Sequence, residues 1–122
     1  MGELNSYKDF KIWQKGLSLC VNTYELTKDF PEEEKFGLIS QIRRCSVSIS
    51  ANIAEGYGRQ STKSYVQFLK IARGSLYELD THLELSNQLK FVKNELLLET
   101  IKEQIIEEGK MINSLINKID IK

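Results

Sequence analysis

The sequence predicts an all-α protein, an up-down-up-down antiparallel four-helix bundle, and three observations carry that prediction. Four segments repeat apolar residues at alternating spacings of three and four, which aligns them on one face of a helix. The chain holds one proline, Pro31, and seven scattered glycines, too few breakers for a many-stranded β-fold. The breaks fall near 29–32, 56–60 and 90–93, and such short connections make successive helices antiparallel neighbours. At 122 residues the chain forms one domain, spanning 1–122, with core enough to need no staple.

In the first segment Phe10, Trp13, Leu17, Cys20 and Tyr24 align, after an approximate capping box of Ser6 and Asp9. In the second the stripe is Ile39, Ile42, Ser46, Ile49 and Ile53. Its entry places Pro31 in the first turn and Glu32, Glu33 and Glu34 at the positive end of the helix dipole. In the third, Tyr65, Phe68, Ala72, Leu76, Leu79, Leu83 and Ser86 align, with Ser61 as the N-cap. The fourth runs through Leu98, Ile101, Ile105, Glu108, Ile112, Leu115 and Ile119, with Glu108 as its one charged interruption. Helices of roughly 22 to 28 residues would be about 33 to 42 Å long. Gly56-Tyr57-Gly58-Arg59 follows a helix and lacks Lys-Ser/Thr, so it reads as a glycine helix stop and not as a phosphate loop.

Hydrophobic residues at 41% and charged residues at 28% exclude a disordered chain. Seventeen Lys and Arg against seventeen Asp and Glu exclude a uniformly basic nucleic-acid coat. Folded antiparallel, however, residues 1–17, 45–74 and 107–122 share one end with a net excess of four positive charges. The other end carries the matching negative excess, and such polarity can steer a charged partner. The polar start has no secretory signal, no apolar run could span a bilayer, and a cytoplasmic protein is expected. Met1-Gly2 with Ser6 matches a loose myristoylation pattern and reads as coincidence. Cys20 and Cys45 read as buried free thiols.

The chemistry-bearing residues point away from catalysis. His82 is the only histidine, Glu78 precedes it by four residues where a di-iron bundle uses three, and no second copy exists. No metal or organic cofactor is therefore expected, and His82 reads as a partly buried structural residue. Ser46, Ser48 and Ser50 lie mid-helix without a base and read as small groups that admit another helix. Opposite the apolar stripe of the second helix stand Arg44, Ser48, Ala51 and Glu55. Small residues bracketed by charge suit a contact between subunits, against the plainer reading of a tolerant surface. On the third helix Lys63, Lys70, Arg73 and Tyr77, with Arg59 nearby, form a basic and aromatic set. It suits a nucleic-acid backbone with a stacked base, or is simply a solvated face.

The second and third helices also carry a resemblance. Glu34-Lys35-Phe36-Gly37-Leu38, Gln41-Ile42-Arg43-Arg44 and Ser48-Ile49-Ser50-Ala51-Asn52-Ile53-Ala54-Glu55-Gly56 with Gly58-Arg59 resemble one bacterial signature. Phe68-Leu69 and Ala72-Arg73-Gly74-Ser75-Leu76-Tyr77-Glu78-Leu79 continue it. The family is that of the four-helix bundle proteins first noticed as 23S rRNA intervening-sequence proteins. The resemblance implies a homopentameric ring. A related branch, the accessory proteins of diversity-generating retroelements, is basic and binds reverse transcriptase and nucleic acid; this chain lacks that excess charge. Ser50 stands where the family commonly has proline, so the second helix should run straighter. Two readings remain: a non-enzymatic homo-oligomer associated with RNA or an RNA-linked protein, and a structural or protein-binding oligomer without nucleic-acid contact.

Overall fold

The computed structural model describes residues 6–120 as four long helices: α1 (Lys11–Thr27), α2 (Leu38–Gly58), α3 (Thr62–Gln88) and α4 (Glu95–Asp120). Both α2 and α4 pack against α1 and α3, while the diagonal pairs make no such contact among the described residues. This closed square is the antiparallel bundle that the short breaks predict. Met1 and Gly2, with the myristoylation pattern, lie outside the described residues.

The helix boundaries depart from the spacing-based expectation for local reasons. Ser6 does cap, its Oγ accepting from the Lys8 amide at 3.1 Å, but it caps a short 3-10 turn, Tyr7–Asp9. α1 begins only at Lys11, because Phe10 takes an extended backbone and sets its ring edge-on to Tyr57 at 4.9 Å. The three glutamates form a separate 3-10 turn, Glu32–Glu34, ahead of α2. Glu34 still serves that helix, since its Oε1 accepts from the Leu38 amide at 3.0 Å. Ser61 caps α3 as expected, accepting from the Ser64 amide at 3.2 Å. The helix does stop within residues 56–59 as expected, but no glycine there takes the left-handed cap conformation. α2 continues through Gly58, and the residue in the left-handed region is Gln60, with φ 59°. Gly56 is needed for another reason: α3 passes so close that a Cβ there would stand 2.7 Å from Phe68 Cβ.

The stripes of α2, α3 and α4 form the core much as their spacing predicts. Ile42, Ile49, Ile53, Leu76, Leu79, Leu83, Ile101 and Ile112 are fully enclosed. α1 is the exception. None of Phe10, Trp13, Leu17, Cys20 and Tyr24 is fully buried, and Leu17 and Tyr24 face outward. The buried face is instead Ile12, Gly16, Leu19, Thr23 and Leu26. The cause is close packing on α2: a Cβ at Gly16 would collide with Ser50 Oγ. Ser50 Oγ donates to the Trp13 carbonyl at 3.0 Å, and Cys20 Sγ meets Ser46 Oγ at 3.3 Å. The buried hydroxyls of Thr23 and Thr27 are satisfied on carbonyls one turn back, those of Leu19 and Thr23.

Glu108, on α4, is 1% exposed and reaches the same junction, its Oε2 standing 3.2 Å from where a Gly16 Cβ would be. No group among the described residues hydrogen-bonds to either carboxylate oxygen. Lys15, whose positive charge favours the ionised form, is engaged by Glu107 at 3.1 Å. Burial, helped by the negative Glu107, pushes the Glu108 carboxyl up to about 8, so it is mostly neutral at pH 7.

Two outcomes follow from this junction. Gly16→Ala should lower unfolding free energy by about 1–3 kcal/mol, measured by denaturant titration, because the added methyl has no room beside Ser50. Glu108→Gln should remove a pH dependence. In the unfolded chain this carboxyl titrates near 4.5 and in the folded chain near 8, so in that window the fold holds a proton that the unfolded state has lost. Its contribution is complete below about pH 4.5 and fades as pH rises through 8, with a limiting slope of ~1.4 kcal/mol per unit. The variant should therefore gain on the wild type steadily from pH 5 to 8 in thermal melts. A constant difference across that range would mean that Glu108 is not held neutral.

Candidate functional site

The outer surface of α2 and α3 holds the residues that the sequence singles out, and the fold sorts them. Lys63, Lys70 and Tyr77 stand exposed at seven-residue intervals, two helical turns or ~10.5 Å apart along α3. They form one straight row. The two arginines are drawn away from it. Arg59 is paired with Glu55 at 2.9 Å and lies over the Phe68 ring at 5.0 Å. Arg73 leans toward α4 and donates to Asn113 Oδ1 at 2.8 Å.

On α2, Arg44, Ala51 and Glu55 are exposed, as their angular position requires. Arg44 donates to Gln41 Oε1 at 3.3 Å, one turn back along the helix. Ser48 differs. It is half-buried against α3, where its Oγ meets Ser75 Oγ at 2.9 Å and also accepts from Asn52 at 2.7 Å. Ser46 Oγ donates to the Arg43 carbonyl at 2.9 Å and Ser50 Oγ to Trp13, so the three serines are structural contacts.

Beside these strips lies an apolar surface that includes Leu17 and Tyr24, two residues that the helical spacing assigns to the core. Leu17, Val21 and Tyr24 share an outward stripe of α1 and are 41%, 67% and 38% exposed. Arg43 stacks on the Tyr24 ring at 4.6 Å and donates to Thr27 Oγ1 at 2.9 Å, tying the stripe to α2. On α2 Val47, 47% exposed, and Ala51 continue the surface one turn apart.

One group of side chains runs against expectation. The sequence offers no metal shell of usual composition, yet donor atoms from two helices converge. Cys45 Sγ, a carboxylate oxygen of Glu78 and a ring nitrogen of His82 lie within 4.8 Å of one another. His82 Nε2 and Glu78 Oε2 are 3.2 Å apart, across one turn of α3. Cys45 is 4% exposed, donates weakly to the Ile42 carbonyl at 3.3 Å, and has its thiol pushed up to about 12, by burial first and then by Glu78. His82 is half-buried and Glu78 exposed. A polar cleft of about 300 Å3 opens beside them, lined by Gln41, Arg44, Cys45, Ser48, Ser75 and Glu78. The i,i+4 spacing of Glu78 and His82 is the signal that the sequence offers. The third member requires the register of α2 on α3.

Comparison with known proteins agrees with this architecture. The family model described as 23S rRNA-intervening sequence protein matches residues 8–114. Among solved structures the chain is similar to the 1.70 Å crystal structure of a protein of unknown function from the S23 ribosomal protein family of Bacteroides thetaiotaomicron VPI-5482. The two share 31% identity over 87% of this chain and 95% of that one, with a TM-score of 0.77. No curated protein matches the chain. No helix among the described residues is long and apolar enough to cross a membrane.

Proposed function

The chain belongs to the 23S rRNA-intervening sequence protein family, and from that membership we propose that it works as a non-enzymatic homo-oligomer of five copies with RNA as its partner. The carrying observation is the outward apolar stripe of Leu17, Val21 and Tyr24, continued by Val47 and Ala51. A single subunit leaves these side chains in water, whereas a second copy would cover them. Zero net charge adds no repulsion between identical subunits. The row of Lys63, Lys70 and Tyr77 offers two phosphate contacts and a stacking ring, and a ring of subunits would repeat it on one strand. Arg59 and Arg73 stand behind that row, each already bonded within the subunit. The engagement of Ser46, Ser48 and Ser50 in helix contacts supports a non-enzymatic role.

Light scattering at micromolar concentration should give a mass near five times that of the 14.1 kDa chain. Val21→Arg, or Ala51→Arg on α2, should reduce it to one copy while the helical circular dichroism is kept. A wild-type monomer would refute the assembly.

RNA binding should tolerate sequence changes and weaken steeply between roughly 50 and 200 mM salt. Lys63→Glu with Lys70→Glu should abolish it and leave the oligomer mass unchanged. If the wild type binds no RNA at low salt, the oligomer is a structural or protein-binding one. If the double variant loses the oligomer, these lysines belong to assembly.

A further inference from the structure

We propose that Cys45 of α2 with Glu78 and His82 of α3 forms a mononuclear zinc site whose fourth position opens on the polar cleft beside Arg44. The site does not rest on the oligomeric reading. Its donor set is one sulfur, one oxygen and one imidazole nitrogen. That mixture suits a borderline-soft, tetrahedral Zn2+ and not Mg2+ or Ca2+, which take oxygen shells of six or more.

The distances fit a shell that needs only small closure. Around a tetrahedral zinc the nitrogen-to-oxygen edge is roughly 3.3 Å and the edges to sulfur roughly 3.6 Å. Glu78 Oε2 and His82 Nε2 already stand at 3.2 Å. The whole set lies within 4.8 Å, so the edges to sulfur close by about 1.2 Å at most. The two α3 side chains, 51% and 22% exposed, can turn to do this while the buried sulfur stays fixed.

Charge balances as well. On binding, the Cys45 thiol gives its proton to solvent and its hydrogen bond to the Ile42 carbonyl is replaced by the S–Zn bond. No redox change is involved. The thiolate and the Glu78 carboxylate together neutralise the dication, so a half-buried site carries no net charge. The three protein ligands leave a fourth coordination place, and the cleft of about 300 Å3 gives it water and an entry path. Ser48 and Ser75, bonded to each other at 2.9 Å, form the adjoining wall and hold α2 and α3 in register.

Chelator-treated, tag-free full-length protein, titrated with Co2+ and then Zn2+, tests this. The expected result is one equivalent of Co2+ per chain, a sulfur-to-cobalt charge-transfer band, and loss of that band as Zn2+ displaces cobalt. His82→Gln, which leaves the buried sulfur untouched, should weaken binding at least ~100-fold with unchanged helical circular dichroism. Cys20→Ser should leave the titration unaltered. Cys45→Ser should erase the charge-transfer band; if that variant does not fold, the His82→Gln titration decides alone. No charge-transfer band in the wild type, or a band that survives His82→Gln or disappears in Cys20→Ser, would overturn the site.

Discussion

The close approach of α1 to α2 at Gly16 and Ser50 governs more of this molecule than its size suggests. A Cβ at Gly16 has no room beside Ser50 Oγ, and the Ser50 hydroxyl ties the two helices by donating to the Trp13 carbonyl at 3.0 Å. One turn on, Cys20 meets Ser46. Small side chains on both helices therefore form the seam, and the larger α1 residues Ile12, Leu19 and Leu26 point to the bundle interior. Rotating α1 into that position turns Leu17, Val21 and Tyr24 to the outside. The apolar outer surface is thus a consequence of the seam and not a separate feature.

Glu108 shows what the same junction costs. A carboxyl enclosed at 1% exposure with no hydrogen-bond partner among the described residues is tolerable only when protonated. Lys15 is close enough to lower its proton affinity somewhat, yet burial dominates and the group titrates near 8. The helix stripe stays continuous because the interruption is, at neutral pH, mostly an uncharged one. This places a proton-dependent element, carried by α4, beside the seam of α1 with α2 at Gly16.

The legibility of the fold follows from which residues do the packing. α2, α3 and α4 bury isoleucines and leucines, so counting apolar spacing finds their core faces directly. α1 buries Gly16, Thr23 and Thr27 and exposes Leu17, Val21 and Tyr24, so the same count selects the wrong face. Position on a helix is readable, but engagement across helices is not. Lys63, Lys70 and Tyr77 stand where their periodicity puts them. Arg73 has its partner forty residues away in Asn113, and nothing local announces that bond. Ser48, counted as outward, is held at the α2–α3 seam by Ser75, twenty-seven residues on.

Register is the information that local spacing lacks, and it decides the metal-binding group. Gly56 allows Phe68 to sit directly against α2, which fixes how the two antiparallel helices slide past each other. From Ser48 opposite Ser75, three residues back along α2 reach Cys45 and three forward along α3 reach Glu78. His82 follows one turn later on the same face of α3. A shift by one helical turn, about 5.4 Å, would separate the sulfur from the other two donors beyond any common ion. Gly56, Ser48 and Ser75 touch no ligand, yet the proposed coordination set exists only because they fix the register.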